Sequence, residues 1–251
     1  MRKDKYLDML TSDEYNILKA YIDNTPELAD IMEKLSFYSP SELSTDSHNI
    51  KNYIAFLKTS FQLLKKKHPE LSCDSGMDRI ESVLNELISH MDRTTLYRYS
   101  MKKYESTPIN INDILYEIPD YIDEKLDNNC EYSFDLENLP MININPEQLI
   151  LLLTEAVTNA CEASDCTGEI SISSRMEERY ILISITNHTR NNTPKQYDYN
   201  QLAQPFYTTK SGHTGVGLSI IHQICLAYNG FAQLYGKASS TVLEIHLPIN
   251  Y

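Results

Sequence analysis

Two apolar stripes separated by a proline restrict this fold more than any other feature. Ile50, Ile54, Leu57, Phe61 and Leu64 follow at steps of 4, 3, 4 and 3, the heptad spacing that keeps one helix face apolar. Met77, Ile80, Leu84, Leu87 and Met91 repeat it. Between them lies KKHPELS, where Pro69 lacks an N–H and cannot continue a helix. The spacing predicts two helices joined by a short turn, a helical hairpin. One hairpin of this length cannot bury both stripes. Pairing with a second copy gives a four-helix bundle, so a homodimer is expected. A hairpin packed on the rest of its own chain is the competing arrangement.

Composition narrows the class. The chain is 41% hydrophobic and 23% charged with a net charge of −13, values of a globular protein that argue against a nucleic-acid partner. The basic residues are concentrated: from His48 to Lys103 there are ten Lys or Arg against six Asp or Glu. With Ile50 at heptad position d, Lys51, Lys58 and Lys65 fall at e, flanking the seam. That is either a docking face for an acidic partner or a solvated face. No apolar run approaches the ~20 residues of a membrane span. MRKDKYLDML is not a signal peptide, and five cysteines without a CxxC pair fit reduced thiols. A cytoplasmic location and no membrane span are expected.

Three segments emerge: a short helical stretch over 1–40, with TSDE at Thr11–Glu14 as a capping box; the hairpin over 41–106; and a region of different texture over 107–251. In the last, PININDILYEI reads as a strand edge leading to a helix, and EYSFDLENLPMININ alternates like a strand. PEQLILLLTEAVTNACEAS is a long helix with Pro146 in its first turn. GEISISSRMEERYILISITN is a strand, a turn and a strand. GLSIIHQICLAYNG is a helix closed by Gly230, and FAQLYGKASSTVLEIHLP is a terminal hairpin. The expected class is α+β, helices on one face of a mixed sheet.

Two places there could carry chemistry. Glu155, Asn159 and Glu162 recur at i, i+4 and i+7, one face of an otherwise apolar helix. Burying them unpaired costs ~1–3 kcal/mol per group; a ligand would satisfy them, and their oxygens suit Mg²⁺. Exposure of that face to solvent is the alternative. Seven glycines serve 251 residues, yet Gly212, Gly215 and Gly217 crowd into QPFYTTKSGHTGVGLSI. A glycine loop entering a helix N-terminus presents N–H groups to an anion, and Lys210, Thr208 and Thr209 add a cation and hydroxyls. It is not a P-loop, because GxxxxGK[ST] is absent.

Taken together, EAVTNACEAS, PFYTTKSGHTGVGLSI and STVLEIHLP resemble the ATP-binding domain of sensor histidine kinases, of the GHKL type, over about residues 108 to 251. They match its N box, F box, second glycine box and closing strand in order and spacing. The resemblance implies an α/β sandwich with a lid between the F box and the second glycine box. It implies nucleotide contacts by Asn159, Ala163, Asn187, Thr209, Lys210, Gly215, Gly217, Leu218 and Thr241, Mg²⁺ on Asn159, and Glu155 orienting groups near the γ-phosphate. HNIKN then places His48 where the family carries its phosphoacceptor. In the heptad frame His48 falls at b and Asn52 at f, outward and one turn apart, as an imidazole reached by two partners requires. A response-regulator receiver domain is the implied partner.

Three departures qualify these expectations. Asn49 follows His48 where the family has an acidic residue, and an amide cannot act as a base. Asn52 keeps the amide that there positions the water which dephosphorylates a receiver. The first glycine box reads TNHTRNN, with Asn187 at the family's Asp position and Thr189 for a glycine; peptide-pheromone receptor kinases also carry Asn there. An amide oxygen can accept from the adenine amino group, though less strongly than a carboxylate. Finally, no recognisable sensor precedes the hairpin. The expected function is an ATP-dependent histidine kinase of a two-component system, phosphorylating His48 and passing the group to a receiver aspartate. The competing readings are a dimeric phosphotransfer or adaptor protein, like the sporulation phosphotransferase that has lost ATP binding, and a receiver phosphatase.

Overall fold

The computed structural model describes residues 50–70, 75–123, 129–164, 168–188, 197–208, 210, 213–237 and 240–249. His48, Asn49, Thr189, Thr209, Gly212 and the Thr11–Glu14 capping box lie outside them. The chain divides into two compact units, Met1–Arg98 and Tyr99–Tyr251.

The first unit holds α1 over 50–67 and α2 (Ser75–Ser100) up to Arg98, flanking a turn at Pro69. Proline ends the first helix as its missing N–H requires, and His68 Nδ1 lies 3.0 Å from Glu70 Oε1 in the turn. Lys51 pairs with Asp92, and Lys65 with Glu81 at 2.9 Å and Asp78 at 3.5 Å. Two of the three lysines expected to receive an acidic partner are thus engaged within the hairpin. Ile54 and Leu84 are buried at 8% and 9% exposure, whereas Ile50, Leu57, Leu64, Ile80 and Leu87 of the same stripes are exposed. Asn52 is exposed, as its heptad position predicts.

The second unit runs β1 (Thr107–Ile109), α3 (Ile111–Asp123), β2 (Glu131–Leu136), β3 (Ile142–Ile144), α4 (Pro146–Ala163), β4 (Glu169–Glu177) and β5 (Tyr180–His188). It continues with α5 (Tyr199–Leu202), α6 (Gly217–Ala227), β6 (Phe231–Lys237) and β7 (Ser240–Pro248). Five strands form a sheet in the order β2-β4-β5-β7-β6, parallel between β2 and β4 and antiparallel elsewhere. Period two sends Ile170, Ile172, Ile181, Ile183, Ile185 and Ile245 inward, all fully buried or nearly so. The core also takes in Leu115 and Ile118 of α3, Leu149, Leu152 and Leu153 of α4, and Ile220 and Ile224 of α6, each at 0% exposure. Each such side chain contributes roughly 1.5–3 kcal/mol on leaving water.

Two local expectations change. EYSFDLENLPMININ holds two strands, not one: β2 joins the main sheet, while β3 pairs with β1, Ile142 opposite Ile109. Pro140 separates them, since it cannot donate to a ladder. Gly230 does follow α6, but the left-handed residue is Asn229, at φ 58°. Gly230 is required for closeness: a Cβ there would stand 2.2 Å from the His246 carbonyl oxygen.

Residues 99–106 are tied to the base of α4. The Asn145 side chain caps the helix by accepting from Gln148 N at 3.0 Å, and its Nδ2 donates to the Glu105 carbonyl at 3.0 Å. Gln148 is wholly buried; its Nε2 donates to the carbonyls of Lys102 at 2.7 Å and Tyr99 at 3.3 Å. Tyr228 Oη donates to Gln148 Oε1 at 2.7 Å and accepts from Asn145 N at 3.1 Å. Both ends of the buried amide are thereby satisfied, as burial of polar groups demands.

Candidate functional site

The C-terminal half of α4 carries the polar face expected from the sequence. Glu155 is 7% exposed, and Asn159 is half-buried with its Nδ2 wholly buried and without a hydrogen-bond partner among the described residues. One turn on, Glu162 accepts from Lys210 Nζ at 2.7 Å, and His213 Nδ1 lies 3.6 Å from the same oxygen. Lys210 is the expected cation, but here its charge is held by Glu162.

The glycine loop lies directly against this face. A Cβ on Gly217 would stand 3.0 Å from Glu155 Oε2 and 3.2 and 3.3 Å from Asn159 Nδ2 and Oδ1. The missing side chain is therefore what lets the first turn of α6 approach the two polar groups. Gly215 has φ +69°, and a Cβ there would meet the Tyr207 carbonyl oxygen at 2.5 Å, so conformation and space both require glycine. The N-cap of α6, Val216, supplies no side-chain hydrogen bond. The first N–H groups of the helix are accordingly available to an anion. Leu218 is half-buried at this turn.

Asn187 sits at the C-terminal end of β5, 3% exposed, its Nδ2 without a hydrogen-bond partner among the described residues. Thr241 of β7 is its direct cross-strand neighbour, and Thr241 Oγ1 lies 3.3 Å from Tyr197 Oη. Ser164 Oγ, just past α4, donates to the His188 carbonyl at 3.4 Å, which joins the end of α4 to the end of β5. Ala163 is exposed on that last helical turn. The unit therefore brings Glu155, Asn159, Gly215, Gly217 and Lys210 together at one place, and Asn187 and Thr241 at another, with the last turns of α4 reaching both. His48 and Thr209 lie outside the described residues, and Asn52 belongs to the other unit.

Sequence reasoning missed Tyr197 and Ser164, which no periodicity marks, and a buried polar cluster on α6. Among the described residues Ser219 Oγ and His222 Nε2 are buried without hydrogen-bond partners, as is Tyr199 Oη. The Tyr199 and His222 rings lie 5.9 Å apart. Burial pushes His222 below its ordinary 6.5, holds the Tyr199 phenol well above its ordinary range, and raises the Cys225 thiol to about 12. Spacing of 3 along α6 could have signalled Ser219, His222 and Cys225 as one face.

The donor set fits an anionic ligand with Mg²⁺. Two buried amide nitrogens, Nδ2 of Asn159 and of Asn187, lack partners among the described residues, Gly217 keeps the space beside two oxygen-bearing side chains open, and a helix N-terminus faces the loop. Asn159 Oδ1 and Glu155 Oε2 are hard donors, and Mg²⁺ takes few protein ligands, relying on water and phosphate for the rest. Among the described residues no cluster of three or more His, Cys, Asp or Glu forms a self-sufficient metal site.

Comparison with known proteins agrees with this arrangement. Residues 144–250 match the family described as histidine kinase-, DNA gyrase B-, and HSP90-like ATPase. The chain is 26% identical over 238 residues to sporulation kinase C of Bacillus subtilis (strain 168), covering 89% of this chain and 53% of that protein. It therefore spans about half of that relative's length. Full-length ShkA in complex with AMPPNP aligns with a TM-score of 0.66 at 15% identity, over 83% of this chain and 46% of that one. Histidine kinase ThkA in complex with response regulator protein TrrA aligns at 0.58 and 20% identity, over 87% and 64%. These structural likenesses carry the fold and bear out the α+β class. Among the described residues no helix is long and apolar enough to cross a membrane.

Proposed function

We propose, on the premise that residues 144–250 form an ATPase domain within a histidine kinase catalytic core, that this chain is an ATP-dependent protein histidine kinase. In this reading His48 accepts the γ-phosphoryl group, and the aspartate of a response-regulator receiver domain takes it in turn. The single observation that carries the reading is Gly217 held against Glu155 and Asn159, a cradle that any side chain would fill. The backbone from Gly215 to Leu218, with Thr209 and Lys210, holds the phosphates. Asn159 ligates Mg²⁺, whose chemistry when bound is to neutralise phosphate charge. Glu155 orients groups at that end, while Asn187, Thr241 and Ala163 flank the base. Positioning and charge neutralisation supply most of the catalysis in such transfers. The exposed apolar stripes of the hairpin support the homodimer, and Asn52 fits dephosphorylation of the receiver.

The test is incubation of the full chain with γ-labelled ATP and Mg²⁺, beside His48→Gln. Acid-labile label on the wild type alone is expected. Nucleotide binding without label would replace the kinase by a receiver phosphatase, and neither binding nor label would replace it by an adaptor.

A further inference from the structure

Among the described residues, the polar side chains at the base end of the site, Asn187, Thr241 and Tyr197, can each act as donor or acceptor. Asn187 is 3% exposed at the end of β5, and its Nδ2 has no hydrogen-bond partner among the described residues. An amide carries donors and an acceptor on one planar group, and the torsion that exchanges them is broad and two-fold. Thr241 stands directly opposite; its hydroxyl is shared with Tyr197 Oη at 3.3 Å, where either oxygen can be the donor.

We infer that Asn187 makes the site tolerant at the purine 6-position, so that 6-oxopurine nucleoside triphosphates bind comparably to ATP. The inference rests on the nucleotide reading above and adds the substrate class. Adenine presents an amino donor at C6 and a bare N1 acceptor; Asn187 meets it with Oδ1 accepting and Nδ2 donating. A 6-oxopurine presents a carbonyl acceptor at C6 and an N1–H donor; the same amide, turned over, meets it with Nδ2 donating and Oδ1 accepting. Both poses satisfy the orphaned Nδ2, whose burial without a partner is unfavourable. A carboxylate at 187 could only accept and would face the 6-oxo group with like polarity. Sites of fixed polarity reject the wrong partner by orders of magnitude, because a buried group is left unpaired; a reversible amide removes that penalty.

The experiment is calorimetric titration of the full chain, with Mg²⁺, by ATP and by inosine triphosphate, which keeps the ribose and phosphates and exchanges the 6-amino group for a 6-oxo group. Dissociation constants within about tenfold of each other are expected. Asn187→Asp should widen the preference for ATP by about tenfold or more. The inference is overturned if ATP binds and inosine triphosphate is weaker by more than that margin, a result that needs no variant to fold. It is also overturned if a folded Asn187→Asp protein leaves the ratio unmoved. If neither nucleotide binds, the nucleotide reading itself falls and this inference falls with it.

Discussion

The hairpin and the sheet unit treat the same kind of residue in opposite ways. In the sheet unit, Ile111, Leu115, Leu149 and Ile183 have no exposure at all. In the hairpin, Ile54 and Leu84 are the buried apolar side chains among the described residues, while Tyr53 and Phe56 are 70% and 71% exposed. Both regions carry regular helical stripes. The sheet supplies long-range partners that close over the stripes of α3, α4 and α6; a two-helix hairpin has no third surface to offer. Periodicity therefore identifies a face that must be covered, and only topology says whether the chain covers it. Exposed apolar surface on this scale is the mark of an association site.

Six measurements test that contrast. Leu152→Ala, in the closed core, should destabilise the sheet unit by about 2–5 kcal/mol in denaturant unfolding. Leu87→Ala, at concentrations where the protein is monomeric, should change stability by less than about 1 kcal/mol; equal losses would erase the difference between the units. Gly217→Val should weaken ATP binding about a hundredfold, near 2.7 kcal/mol, with the sheet unit still folded by circular dichroism. A smaller loss would show that the cradle is not where phosphate binds. Replacing Ile80 and Leu87 together by Ser should weaken self-association at least about tenfold in sedimentation, with the sheet unit's melting unchanged.

The next effect depends on pH. Burial lowers the His222 pKa, and it lowers that of His246 against the opposing pull of Glu244 and Glu177. Each folded histidine therefore binds fewer protons than its unfolded counterpart. Their stabilisation is present above the ordinary pKa of 6.5 and is lost as pH falls through it toward the folded value. Stability should therefore fall as pH drops below about 6.5, and His222→Phe should flatten the curve. The smallest change belongs to Glu162→Gln, which breaks a partly exposed ion pair and should move stability by less than about 1 kcal/mol in the same unfolding assay.

Much of this was legible in the sequence. The strands of GEISISSRMEERYILISITN appear where period two places them, and Pro146 opens α4 as its fixed φ allows. The clustering of Gly215 and Gly217 was visible, and so was the polar face of α4. What the sequence did not carry was distance across the fold. That Gly217 faces Glu155, that Thr241 opposes Asn187, and that Lys210 meets Glu162 are consequences of sheet order and helix packing, which no local pattern encodes. Pro140 signals the split of β2 from β3, but alternation resumes after it, so the pattern alone reads as one strand. The position of Gly230 just past α6 suggests a conformational role, yet its reason is steric, since the neighbouring carbonyl comes from a strand sixteen residues away.

If Lys210 holds phosphate as proposed above, its contact with Glu162 sets a threshold on what the site admits. With its ammonium already engaged by a carboxylate at 2.7 Å, an arriving anion must outbid an incumbent, so the gain is a difference between two attractions. A singly charged visitor offers about what Glu162 already provides and gains little by the exchange. On the reading proposed above, a polyphosphate, with more charge and more acceptor oxygens, draws the ammonium away and leaves Glu162 with His213, whose Nδ1 lies 3.6 Å off, so that binding is recorded as a change of partner on the outer turn of the long helix.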